Sequence, residues 1–83
     1  MDIEVTVKLF AAYQEAYNQP ELQLTLPRTT KVEDLLEKIL QEKPQLEQWR
    51  DVTRFGVNLQ FVEGNTLLSD GDEIVLIPPV SGG

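Results

Sequence analysis

Neither cysteine nor histidine occurs anywhere in the 83-residue chain. These absences remove several classes of function before any motif is sought. Without thiols there is no disulfide framework, and nothing marks the chain as a secreted scaffold. Zinc sites built from thiolate or imidazole are impossible, as are a cysteine nucleophile, a Ser-His-Asp triad and a histidine acid/base. Any sulfur chemistry must therefore run through a group other than a thiol. Basic residues are scarce too: 7 Lys and Arg stand against 14 Asp and Glu, a formal net charge of -7. Such a surface repels a phosphate backbone, so nucleic acid is not an expected partner. Acidic charge keeps a small domain soluble and can steer it toward a basic partner surface. Long apolar runs are also missing. No stretch approaches the ~20 residues that would cross a bilayer. Met1-Asp2-Ile3-Glu4 has neither the basic flank nor the apolar run of a signal peptide. A soluble cytoplasmic protein with no membrane contact is the expectation.

What remains is an ordinary globular composition, 41% apolar, in a chain long enough for one modest core. From Ile3 to Phe10 the residues alternate: Ile3, Val5, Val7 and Leu9 share one face, and Glu4, Thr6 and Lys8 the other. That period predicts a half-buried strand. Ala11 to Asn18 reads either as a short helix or as a long loop, ended by Pro20. Leu22, Leu24 and Leu26 alternate with polar residues in a second strand closed by Pro27. Thr30 and Glu33 fit a capping box. Val32, Leu35, Leu36, Ile39 and Leu40 then form one apolar helical stripe, which Pro44 stops. Gln45 to Asp51 is ambiguous, with Leu46 and Trp49 as possible anchors of one more turn. Phe55, Val57 and Leu59 alternate as a third strand, which Phe61-Val62 either extends or follows as a short strand of its own. Ser69-Asp70-Gly71-Asp72 is a turn, since Asp hydrogen-bonds locally and Gly tolerates positive φ. Glu73 to Ile77 is the last strand. One strong helix must cover one face of an open sheet. The predicted fold class is therefore α+β: a β-grasp, ubiquitin-like domain with a mixed sheet on one main helix, its first and last strands side by side in the centre.

The last strand is apolar on both faces. Ile74 and Leu76 point one way, Val75 and Ile77 the other, and only one face can meet the helix. The second face is either an exposed apolar patch, which Phe10 would join, or is covered by a loop such as Asn18–Glu21. Beyond it the chain reads Pro78-Pro79-Val80-Ser81-Gly82-Gly83. Two prolines stiffen the exit and cannot extend a ladder. Ser81 to Gly83 carry almost no bulk, which suits insertion into a narrow channel with a bare carboxylate at the tip. From average glycine usage a terminal Gly-Gly arises by chance at roughly 0.5%. The division expected is a β-grasp body over 1–77 and a flexible tail over 78–83.

The segment Gly71-Asp72-Glu73-Ile74-Val75-Leu76-Ile77-Pro78-Pro79-Val80-Ser81-Gly82-Gly83 closely resembles the C-terminus of the small, sulfur-carrying subunits of molybdopterin synthase, the MoaD family. Val7-Lys8-Leu9-Phe10-Ala11 and Phe55-Gly56-Val57-Asn58 are similar to that family's first and third strands. The resemblance implies that Gly83 is adenylated by an E1-like enzyme and converted to a thiocarboxylate. Its sulfur then goes to a pyranopterin precursor, building the molybdopterin dithiolene. It further implies that Gly82, Ser81, Val80, Pro79 and Pro78 guide the tail into the large synthase subunit of a heterotetramer. Phe10, with Leu76 or Ile77, would match partner-contacting positions. The carrier would be no enzyme on its own, and no cofactor or metal is expected on it. Where relatives carry aromatic residues in the last strand, this chain has Leu76 and Ile77. Two other classes compete. A carrier for thiazole formation, tRNA thiolation or cysteine synthesis would share the tail chemistry, and a ubiquitin-like protein tag would share fold and Gly-Gly. A free-standing enzyme lacks support, because carboxylates such as Glu37 and Glu42 lie on the solvated helix face.

Overall fold

In the computed structural model, which describes residues 1–79, strand β1 (Asp2–Leu9) is followed by helix α1 (Ala11–Tyr17), strand β2 (Glu21–Pro27) and helix α2 (Val32–Glu42). A 3-10 helix (Pro44–Trp49) and strands β3 (Arg54–Val57), β4 (Gln60–Val62) and β5 (Glu73–Ile77) complete the chain. The five strands form one sheet in the order β2-β1-β5-β3-β4. β1 and β5 run parallel at its centre, with Val7 opposite Ile74 and Leu9 opposite Leu76. The other pairings, β1 with β2, β3 with β4 and β3 with β5, are antiparallel. This is the β-grasp arrangement expected from the order of elements.

Alternation along each strand decides the core. Ile3, Val5, Val7 and Leu9 of β1 and Ile74 and Leu76 of β5 are buried under α2, which contributes Val32, Leu35, Leu36, Ile39 and Leu40. Burial of each such side chain is worth about 1.5–3 kcal/mol, so the stripe holds the helix on the sheet. The start of α2 departs from the predicted capping box. Thr30 is buried, and its hydroxyl donates to the Pro27 carbonyl at 2.7 Å, closing the turn after β2. The cap position falls one residue later, on Lys31, whose backbone N–H donates to the Asp34 carboxylate at 3.0 Å. A lysine side chain has no acceptor, so the reciprocal half of a box is missing. The loop before β5 takes its place: Val32 N–H donates to the Thr66 carbonyl and Glu33 N–H to the Gly64 carbonyl, at 3.0 and 2.9 Å. Glu33 and Asp34 in the first turn suit the helix dipole.

The two ambiguous segments are both helical. α1 buries Tyr13, and its other end is tied to α2 where the Tyr17 hydroxyl donates to Glu42 at 2.7 Å. The 3-10 helix buries Leu46. Arg50, just beyond it, bridges Glu37 of α2 and Glu47, and holds the Glu37 carboxyl below its ordinary range. The third strand is shorter than alternation predicts. It stops at Val57, because Asn58 and Leu59 both take positive φ (50° and 72°) and reverse the chain into β4, pairing Val57 with Gln60. This two-residue turn lacks the Asn-Gly signature that normally announces it. The turn at Ser69–Asp72 forms as read, with Gly71 at φ 86°. No helix among the described residues is long and apolar enough to cross a membrane.

Candidate functional site

The site has two parts, the root of the C-terminal tail and the sheet face that α2 leaves uncovered. β5 carries the root. Its pairing with β3 ends at Ile77 opposite Arg54, and the prolines that follow have no N–H to continue the ladder. Pro78 is buried and Pro79 exposed. Both line a groove of about 640 Å³ with Ile77 and the segment Asp51 to Arg54. That segment is held from beneath: the Thr53 hydroxyl donates to the Trp49 carbonyl at 2.8 Å and lies 2.5 Å from the hydroxyl of buried Tyr13. Burial pushes the Tyr13 phenol above its ordinary pKa. Val80, Ser81, Gly82 and Gly83 lie outside the described residues.

The uncovered face divides into a polar half and an apolar half. On β1 and β2 cross-strand polar pairs dominate: Lys8 meets Glu21 at 3.3 Å and Thr6 donates to Gln23 at 3.1 Å. On β5, β3 and β4 the same face carries Val75, Ile77, Gly56 and Phe61, since Gly56 lies opposite both Val75 and Phe61. Gly56 opens a shallow apolar groove of about 180 Å³ lined by Leu59, Gln60, Phe61, Val75 and Ile77. Phe61 is 75% exposed, and Phe10 is 49% exposed at the end of β1, where the parallel register continues toward Ile77. The loop over Asn18–Glu21 does not bury this face: Val75 and Ile77 keep partial exposure.

Of the three interface residues considered in the sequence, Phe10 and Ile77 lie on this face. Leu76 does not. It is fully buried beneath the sheet, opposite Leu9 and Phe55, and its neighbour Val75 has the outward place. Phe61 and Leu59 were not legible as part of it. Reading Phe55 to Leu59 as one strand hides the turn, and only the turn brings Phe61 onto the outer face beside Gly56. Among the described residues no cluster of acidic side chains could hold a metal ion.

A model of the ThiS family matches residues 7–83. The chain belongs to that family. Among its relatives, the molybdopterin synthase sulfur carrier subunit of Homo sapiens is 35% identical over 96% of this chain and 94% of its own. The protein of the same name from Mycobacterium tuberculosis is 33% identical over 98% and 99%. In structure, the putative molybdopterin converting factor subunit 1 of Pyrococcus furiosus is 27% identical, with a TM-score of 0.80 over 94% of this chain and 99% of its own. A complex of subunits 1 and 2 of the molybdopterin-converting factor from Helicobacter pylori contains a chain 32% identical, with a TM-score of 0.64 over 98% and 100%. The small archaeal modifier protein 1 of Methanosarcina acetivorans is 34% identical, with a TM-score of 0.75 over 100% and 99%. The family match runs from residue 7 to Gly83, and these proteins cover 94–100% of this ThiS-family chain.

Proposed function

We propose that this chain is the sulfur-carrier subunit of a molybdopterin synthase, with the carboxylate of Gly83 as its reactive group. The observation that carries the reading is the near full-length match to relatives of that name, at 33–35% identity in two of them. The division is between a folded body over 1–77 and a tail over 78–83 that brings the carboxylate to partner active sites. A carboxylate is a poor acyl donor. Its oxygen attacks the α-phosphorus of ATP in an E1-like enzyme, pyrophosphate leaves, and a mixed anhydride results. A sulfide-level donor then attacks the carbonyl carbon and expels AMP, leaving a thiocarboxylate on Gly83. That sulfur attacks a side-chain carbon of the pyranopterin precursor and displaces an oxygen leaving group from it. Hydrolysis of the acyl–sulfur bond then leaves sulfur on the pterin and returns Gly83 to a carboxylate, and a second carrier repeats the exchange to complete the dithiolene. None of these steps needs a catalytic side chain on the carrier, in keeping with a chain that has no Cys and no His.

Pro78 and Pro79 set the exit of the tail, and Val80, Ser81 and Gly82 keep it slim enough for the channel of a large subunit. Phe10, Phe61, Val75 and Ile77 would seat against that subunit, whose counterpart in the Helicobacter pylori complex is subunit 2. A heterotetramer of two carriers and two large subunits, in the cytoplasm, completes the reading. The test is reconstitution. The chain carrying a Gly83 thiocarboxylate is mixed with a competent large subunit and the cyclic pyranopterin monophosphate, and dithiolene is measured. Product supports the assignment; its absence, with the large subunit active on its own carrier, rejects it.

The similarity to a small archaeal modifier protein over the whole chain favours one second reading, a protein tag joined through Gly83 to target lysines. Mass spectrometry separates the two. No Lys or Arg follows Arg54, so a tagged lysine would carry the tryptic remnant Phe55 to Gly83. Finding that remnant supports the tag.

A further inference from the structure

Leu59 stands out on two independent grounds. It occupies the second position of the β3–β4 turn with φ 72°, a region where glycine is favoured and a branched side chain is strained. It is also 92% exposed, so no packing within the domain offsets the strain. The turn is nevertheless pinned. Asn58 donates from its backbone to the Glu73 carbonyl at 2.9 Å and from its side chain to Asp72 at 2.8 Å, and its side-chain oxygen accepts from the Glu73 N–H at 3.0 Å. These bonds anchor the hairpin tip to the start of β5 and fix the backbone from which Leu59 projects. The groove it lines runs on to Phe61, Val75 and Ile77, so its side chain extends the apolar face that the large subunit would cover.

We infer that Leu59 is a preorganised anchor for the large subunit, a specificity-determining contact that the fold presents at the cost of backbone strain. The inference rests on the sulfur-carrier reading, and its partner is an apolar pocket on that subunit, continuous with the surface that meets Phe61 and Ile77. Glycine or asparagine at this position would relieve the strain, because both accept positive φ. The contact, by contrast, needs an apolar side chain held in place.

The experiment compares the wild-type chain with Leu59→Asn, Leu59→Gly and Leu59→Met, each tested for thermal unfolding and for affinity to the cognate large subunit by calorimetry. The inference expects L59N and L59G to melt at or above the wild-type temperature yet bind about tenfold or more weakly. L59M, which keeps an apolar group, should stay within about threefold of wild type. The asparagine variant guards against a loss that comes only from a more flexible glycine turn. Wild-type affinity in L59N overturns the inference while leaving the sulfur-carrier reading intact. A wild-type chain that does not bind the large subunit at all overturns the reading, and this inference with it.

Discussion

Tyr13 shows how a single side chain supports the tail root from the far side of the core. The one hydrogen of the Thr53 hydroxyl is committed to the Trp49 carbonyl, so the Tyr13 phenol is the donor in the Tyr13–Thr53 bond. Tyr13→Phe removes that donor but leaves Thr53 paired with Trp49. The expected loss is about 1 kcal/mol in urea unfolding at neutral pH. The pH dependence follows from the raised phenol pKa. A group whose folded value lies above its unfolded value, near 10 for tyrosine, contributes stability that is intact below pH 10. That stability is lost as pH rises through the folded value. Unfolding curves between pH 8 and pH 11 should therefore fall more steeply for the wild type than for Y13F. The residue was hard to place from its segment, because Ala11 to Asn18 has no clear apolar period. Only the packing of α1 against the 3-10 helix, with Thr53 just beyond that helix, gives the phenol a role.

At the scale of elements, the chief departure from the sequence reading is the start of α2. Two carbonyls of the Glu63–Leu68 segment satisfy the first helical N–H groups, so the helix depends on a loop distant in sequence and not on a local cap. Serine at Lys31, ordinarily a stabilising cap, should change stability by less than about 0.5 kcal/mol, because its usual N–H partners are already engaged. Gly64→Val should be damaging. A Cβ at Gly64 already meets the Glu33 Cβ at 3.3 Å, and a branched side chain would push the Gly64 carbonyl off the helix. A loss of about 1–3 kcal/mol is expected, read as a lower urea midpoint with unchanged slope. The apolar stripe of α2 was plain from spacing alone. The cap was not, because nothing local distinguishes a threonine that caps a helix from one that closes the preceding turn.

At the scale of the whole molecule the proposed function separates a body that folds from a tail that reacts. Deleting Gly82 and Gly83 should abolish sulfur transfer while the melting temperature stays unchanged, since among the described residues the hydrophobic core ends at Leu76. Loss of folding in that variant would count against the division. Phe61→Ser makes the complementary separation. The side chain is 75% exposed, so stability should move by no more than about 0.5 kcal/mol. Affinity for the large subunit should drop about tenfold or more, as for a central aromatic anchor, which titration calorimetry would read.

The dominant helix and the two-sided apolar character of the last strand were legible in the residues, and the placing of the first and last strands side by side followed from the fold type. The helix rests on the 3.6-residue stripe of α2 and the last strand on its unbroken apolar run, both local patterns; that β1 and β5 run parallel is a property of the paired sheet. The tertiary structure alone decided which outward residues meet. Phe61 and Leu59 join Val75 and Ile77 because a two-residue turn at positive φ ends β3 one pair early and reverses the face on which later residues fall. Such a turn is stabilised where the Asn58 side chain donates to Asp72 and accepts from the Glu73 N–H, 14 and 15 positions away. No local pattern records a bond of that span, so the face it builds exists only once the strands are paired.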